Sequence, residues 1–210
     1  MRAAFIRQTG PPEVIQVGEL PTPEPGPGQV LVRIRAAAIN PIDLYLRGGI
    51  VAMPLDFPYV IASDFAGGVE ALGSGVEGLR VGDRVWGSNQ GFFGRQGAAA
   101  EYAAVDRGWV HPTPEGLSDE GAAALAMVGI TAHLGLFERA KLQAGETVYV
   151  PGGSGGVGSA VVQMAKAVGA RVATSAGAPE RVEICKKLGA DLALNYKTDD
   201  IPARLREFAP

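Results

Sequence analysis

The sequence predicts an α/β protein in two parts, β-rich up to residue 118 and alternating strand with helix beyond it. Three observations predict this. Apolar residues alternate with period two through "VLVRIRAAAIN" (30–40), Pro/Gly turn chemistry punctuates the first part, and from 146 onward short β-branched runs alternate with longer helical ones.

In the first part "PTPEPGPGQ" (21–29) feeds a strand in which Val30, Val32 and Ile34 share one face and Arg33 and Arg35 the other. "FAGGVEALGSGVEGLRVGDRVWG" (65–87) repeats the scheme, with a Val/Ala strand, a Gly-Ser-Gly turn and a return strand through "VGDRVWG". "AEYAAV" (100–105) is a further short strand, and together these read as a barrel-like unit over 1–118. Ser118 before Asp119 and Glu120 supplies a helix cap and an acidic first turn, although Gly121 cannot complete a capping box. The near-apolar segment 121–137, broken by Gly129, Thr131 and His133, reads as a buried helix or helix-turn. Next come a strand at "ETVYV", a helix over 157–168, a strand at "RVATS", a helix from Pro179 to Leu188 and a strand at "DLALN". Pro179 suits a first helical turn, and "VGA" and "LGA" each put glycine at a helix exit. Short links between such elements imply a parallel sheet with right-handed crossovers over 119–210.

Composition narrows the function. A net charge of −3 and no basic run argue against a nucleic-acid surface or an anionic-membrane anchor. No uninterrupted apolar stretch reaches the roughly 18 residues of a membrane span, and "MRAAFIRQTG" lacks a signal-peptide core. One cysteine, Cys185, excludes an internal disulfide and a cysteine-built zinc site, so the expected compartment is the cytoplasm. His111 before a proline and His133 in an apolar helix are expected to be structural, as is Cys185 beside Val182 and Leu188.

Gly153-Ser154-Gly155-Gly156-Val157-Gly158 satisfies G-x-G-x-x-G directly after a strand and before a helix. In that setting Gly153 permits the tight turn, Gly155 lets a pyrophosphate approach bare backbone, and Gly158 lets the helix pack on the strand. The helix start favours the anion. An NAD site places an acid at the end of the next strand, but here the chain reads Thr174, Ser175, Ala176 and Gly177, with Arg181 following. No carboxylate opposes a 2′-phosphate, and a guanidinium can fork onto one, so the expected cofactor is NADP(H). The same "GGSGG" also matches the G-x-S-x-G elbow of a serine hydrolase around Ser154, but no plausible histidine follows it.

The run "GETVYVPGGSGGVGSAVVQMAK" (145–166) closely resembles the signature of the zinc-independent quinone oxidoreductases, the zeta-crystallin-like branch of the medium-chain dehydrogenase/reductase superfamily. Tyr149 stands where that branch usually has Leu. "AAAINPIDLYLRGG" (36–49), "GVEGLRVGDRVWG" and "GITAHLGL" extend the likeness over nearly the whole chain. The resemblance implies a GroES-like domain followed by a Rossmann domain, with a hydride passed from NADPH to a quinone or α,β-unsaturated carbonyl without zinc. It implies that Asn40 and Tyr45 line the substrate end, the latter as a phenolic donor or an aromatic gate. Thr131 would face the nicotinamide, Gly153 to Gly158 would hold the pyrophosphate, and Ser175, Arg181 and Tyr196 would surround the 2′-phosphate. Arg181 replaces a frequent Lys, keeping the charge. Zinc-dependent relatives have a Cys near position 40 and Gly-His-Glu where this chain has Ala62-Ser63-Asp64, so those ligands are missing. Phe92 and Phe93 either wall the substrate cleft or pin their own loop.

A complete dinucleotide fold has two mononucleotide halves, and the chain supplies the strands of the first, so a longer native product or an altered fold is expected. The resemblance implies a homodimer for that product, its dimer edge lying past residue 210. An enoyl-thioester or alkenal reductase on the same scaffold, and a nucleotide-binding protein without turnover, remain open alternatives.

Overall fold

The computed structural model describes residues 1–209. They form two compact units, one over Met1–Met127 and the other from Val128 onward.

The first unit is built from antiparallel sheets. Strands β1 (Arg2–Ile6), β2 (Gln16–Glu19) and, after β3 (Gln29–Ala38) and helix α1 (Pro41–Arg47), β4 (Tyr59–Val60) make a three-stranded sheet in the order β2-β1-β4. A five-stranded sheet, β7-β3-β5-β6-β8, uses β5 (Asp64–Leu72), β6 (Arg84–Gly87), β7 (Tyr102–Asp106) and β8 (Val110–Pro112). The alternation expected for β3 holds where it matters. Val30 and Val32 are fully buried with Phe65, Val85, Val105 and Val110, Ile34 packs against that cluster, and Arg33 and Arg35 face solvent. Burying such a side chain stabilises by about 1.5–3 kcal/mol, so this face sets the strand's register.

Helix α2 (Asp119–His133) starts where Ser118 Oγ accepts from the Gly121 N–H at 3.0 Å, so Ser118 does cap it. A π-helical turn, Leu134–Arg139, extends it to 21 residues with a mean hydropathy of 1.4. By length and composition this helix is long enough to cross a bilayer. The segment is less buried than its composition suggests. Ala122, Ala123, Ala126, Ala132 and Leu136 are covered, whereas Leu125 and Leu134 lie half exposed, because only an alanine-lined stripe faces its neighbours. Helix α2 starts at Asp119, and the compact units divide inside it, between Met127 and Val128.

The second unit is a three-stranded parallel sheet in the order β11-β10-β9, made by β9 (Thr147–Pro151), β10 (Arg171–Ala176) and β11 (Leu192–Asn195). Helix α3 (Gly156–Ala167) connects β9 to β10, α4 (Pro179–Lys187) connects β10 to β11, and α5 (Ile201–Phe208) follows. Val150, Val162, Ala165 and Val172 form the core between sheet and helix. Gly169 and Gly189 adopt left-handed φ of 86° and 102° just past α3 and α4, which ends both helices as the sequence indicated. A Lys166–Asp191 ion pair at 2.8 Å links α3 to the start of β11, and the Asp191 carboxylate also takes the Val172 N–H.

Asp200 caps α5 by accepting from the Ala203 N–H at 3.0 Å. Replacing Asp200 with Ala is expected to cost about 1 kcal/mol, seen as a lower denaturation midpoint with an unchanged m-value.

Candidate functional site

The turn from β9 into α3 is crowded by its own backbone. A Cβ on Gly153 would collide with Thr174 Oγ1 on the adjacent strand, and one on Gly158 would collide with the Gly152 carbonyl. Both glycines are required for the turn to lie against β10 at all. Gly155 is different. Its φ of −81° suits any residue, and an added Cβ would meet only the Gly152 oxygen, at 3.3 Å. Gly155, Gly156 and Val157 are exposed, and α3 begins without a side-chain cap, whereas Asp200 caps α5. Unsatisfied N–H groups and a bare main chain therefore face outward at a helix start, the arrangement that receives a phosphate.

The end of β10 is stitched to β9 on both faces. Thr174 Oγ1 donates to the Val150 carbonyl at 2.6 Å, and the Tyr149 and Ser175 hydroxyls lie 2.8 Å apart. The Ser175 carbonyl accepts from the N–H groups of Gly152 and Gly153 at 3.0 and 3.2 Å, tying the turn to the strand end. Two residues beyond Ser175, a Cβ on Gly177 would strike the Tyr196 hydroxyl, so the phenol covers that strand end. Gly153 to Gly158, Ser175 and Tyr196 are thus gathered at the C-terminal ends of three parallel strands. Arg181, in the first turn of α4, is exposed and has no ion-pair partner among the described residues. No carboxylate stands at 174–177. Thr131 is exposed on α2, one turn beyond Val128, whose methyl lies 3.1 Å from the position of a Gly156 Cβ. Gly177 was not among the candidates, because Tyr196 reaches it only through the pairing of β10 with β11.

The first unit holds a second cluster. Asn40 is buried at the start of α1 and donates both hydrogens of its side-chain nitrogen, to Asp64 Oδ2 at 2.8 Å and Ser63 Oγ at 3.3 Å. Its backbone N–H donates to Asp43 Oδ2 at 2.7 Å, which closes one arm of a capping box, and Ser63 donates to the same oxygen. Asp64 also accepts from Ser88 Oγ and from the Met127 N–H at 3.0 Å. Asp43 Oδ1 is buried with no partner among the described residues. Desolvation pushes both carboxyls above the usual carboxylate range, and the proximity of Asp64 adds to the rise at Asp43. Tyr45 lies outside this network, 46% exposed on α1. The Asn40–Asp43 spacing was a legible capping signature; Ser63, Asp64 and Ser88 had no local signal, because they reach Asn40 only through the pairing of β3 with β5 and of β5 with β6.

The remaining candidates have packing partners. His111 lies against Trp86 and His133 edge-on to Phe137, with ring centroids 5.3 and 5.0 Å apart. Cys185 is fully buried, and desolvation raises its thiol. Phe92 is buried and anchors its loop, while Phe93 is exposed under Arg95. Among the described residues no three of His, Cys, Asp and Glu converge as metal ligands.

Comparison with known proteins matches residues 26–115 to the alcohol dehydrogenase GroES-like domain and residues 156–210 to the zinc-binding dehydrogenase family. The chain is 37% identical over 198 residues to a quinone oxidoreductase of Rattus norvegicus, a match covering 94% of the chain and 59% of that relative. It therefore spans about three fifths of the relative's length. A crystal structure described as an NAD-dependent alcohol dehydrogenase superposes with a TM-score of 0.94 at 35% identity, covering all of this chain and 67% of the other. The Escherichia coli quinone oxidoreductase complexed with NADPH gives 0.87 at 29% identity, covering 99% of this chain and 62% of its own.

Two tests separate ligand-driven from fold-driven features. Gly158→Ala is expected to destabilise by about 1–3 kcal/mol through overpacking, whereas Gly155→Ala leaves the melting temperature nearly unchanged and weakens dinucleotide binding in a fluorescence titration. Because the folded Asp43 value lies above 3.8, the stability its proton contributes is fully present below pH 3.8 and is lost as pH rises through the folded value. Asp43→Asn removes that loss, so its melting temperature relative to the parent rises between acid pH and neutrality.

Proposed function

Since the chain belongs to the quinone oxidoreductase branch of the medium-chain dehydrogenase/reductase superfamily, we propose that it forms the coenzyme-binding and substrate-lining portion of an NADPH-dependent reductase of quinones or α,β-unsaturated carbonyls. The observation that carries this reading is Gly155. The internal demand for glycine is slight there, a Cβ pressing only on the Gly152 oxygen at 3.3 Å, so we read the bare backbone as kept for a ligand, and uncapped N–H groups with a helix dipole select an anionic one. The pyrophosphate of a dinucleotide has that charge, and the strand–turn–helix setting is the one that receives it.

When bound, NADPH supplies the hydride. Gly153 and Gly158 let the turn close on β10, the Gly155 N–H is held by the Gly152 carbonyl at 2.9 Å, Gly156 and Val157 present their N–H groups to the pyrophosphate, and Thr131 faces the nicotinamide side. Arg181 offers a guanidinium to the 2′-phosphate, with Ser175 and Tyr196 beside it; the absence of an acid at 174–177 removes the repulsion that would reject that group.

On the substrate side, the committed hydrogens of Asn40 prevent its amide from donating to a developing oxyanion. The exposed phenol of Tyr45 is the donor available to an acceptor carbonyl, and Asn40 fixes the start of the helix that carries it. Zinc chemistry is not invoked. Asn40, Ser63 and Asp64, at the places where zinc-dependent relatives have ligands, offer neither thiolate nor imidazole and satisfy one another instead. The partner is a small molecule rather than nucleic acid or membrane. Helix α2 begins in one compact unit and ends in the other, which supports a helix of the fold over a bilayer span. We place the reaction in the cytoplasm, and a homodimer is the expected assembly of the whole protein.

The test is consumption of reduced nicotinamide by the protein, with and without its native downstream sequence, given a simple quinone. NADPH is expected to bind more tightly than NADH, and Arg181→Ala to erase about tenfold of that preference, the scale of a charge-assisted hydrogen bond. Binding without consumption in both forms would instead establish a nucleotide-binding protein, and equal affinity for the two coenzymes would overturn the 2′-phosphate assignment.

A further inference from the structure

Tyr149 has no place in the reaction just described, yet its phenol lies 2.8 Å from the Ser175 hydroxyl. Ser175 is 2% exposed at the end of β10, and its carbonyl holds the glycine turn through the Gly152 and Gly153 N–H groups. Thr174, its neighbour on the opposite face, is committed to the Val150 carbonyl, so it cannot exchange roles with Ser175. Tyr149 is 36% exposed and stands on β9, in register with Ala173, so its phenol reaches along the strand direction to Ser175.

We propose that Tyr149 is a positioning residue that sets coenzyme selectivity through Ser175, an inference that rests on the 2′-phosphate reading given above. A serine hydroxyl has one hydrogen to give. A 2′-phosphate only accepts, so Ser175 must donate to it, and its oxygen is then left to accept from the Tyr149 phenol. The two hydroxyls form a directed chain, Tyr149 to Ser175 to phosphate, in which each bond polarises the next. A ribose 2′-hydroxyl makes no such demand, because it can donate or accept and meets Ser175 in either orientation. Tyr149 therefore favours the phosphorylated coenzyme without touching it.

The experiment uses adenosine 2′,5′-bisphosphate and 5′-AMP as probes of the adenosine side alone, titrated calorimetrically into the parent, Tyr149→Phe, Ser175→Ala and the double variant. Thermal melts check that Tyr149→Phe, which keeps the ring, leaves the fold intact. The parent is expected to prefer the bisphosphate, and Tyr149→Phe to lower that preference about fivefold while affinity for 5′-AMP is unchanged. In the Ser175→Ala background the Tyr149→Phe effect is expected to vanish. If Tyr149→Phe keeps the parent's preference or strengthens it, as it would were Ser175 donating to the phenol, the inference fails and the coenzyme reading stands. Equal weakening of both probes, or an undiminished effect in the Ser175→Ala background, also overturns it. A parent that binds both probes equally, or neither, removes the coenzyme reading and this inference together.

Discussion

The second unit depends on a steric permission at two positions. Without side chains at 153 and 158, the Gly152 carbonyl and the Thr174 hydroxyl occupy the space where methyl groups would be, and α3 starts directly against the sheet. Everything at the strand ends follows from that approach. It aims the unpaired N–H groups of α3 outward, brings the Ser175 carbonyl within reach of two turn amides, and leaves the exposed backbone at Gly155 as the point of least obstruction. Core packing of Val150, Val162 and Val172 holds the strand and helix at the distance the glycines allow.

The first unit solves a different problem, that of burying polar groups without a metal. Asn40, Ser63, Asp64 and Ser88 bring together two hydroxyls, an amide and a carboxylate whose donors and acceptors largely match, while the adjoining Asp43 keeps one oxygen with no partner among the described residues. Charge in such a place is costly, which is why both carboxyls resist ionisation. The network joins the end of β3, the starts of α1 and β5, the end of β6 and the middle of α2, so it fixes where α1 begins and hence where Tyr45 stands.

What the sequence made legible was whatever is encoded locally. Period-two alternation located β3, Pro179 marked a helix start, Gly169 and Gly189 marked helix ends, and the glycine spacing found the turn together with its strand and helix. The buried polar network escaped because its members lie 20 to 24 residues or more apart and meet only when strands pair. The pairing of Tyr149 with Ser175, 26 residues apart, was hidden for the same reason: nothing near a strand tyrosine announces which hydroxyl it will meet. The extent to which α2 is covered was misjudged because composition reports how apolar a helix is, whereas coverage depends on which stripe its neighbours reach.

The alanines of α2 carry one more implication. Ala122 and Ala123 lie against Ala66, with Ala36 and Ala38 alongside, so methyl groups meet methyl groups across that contact. Interlocking of such small side chains sets how near the helical rod lies to the strands beneath it, closer than leucine-lined surfaces would permit. A single added branch at these sites would press the rod away from the Asp64 carboxylate that grips its backbone at Met127.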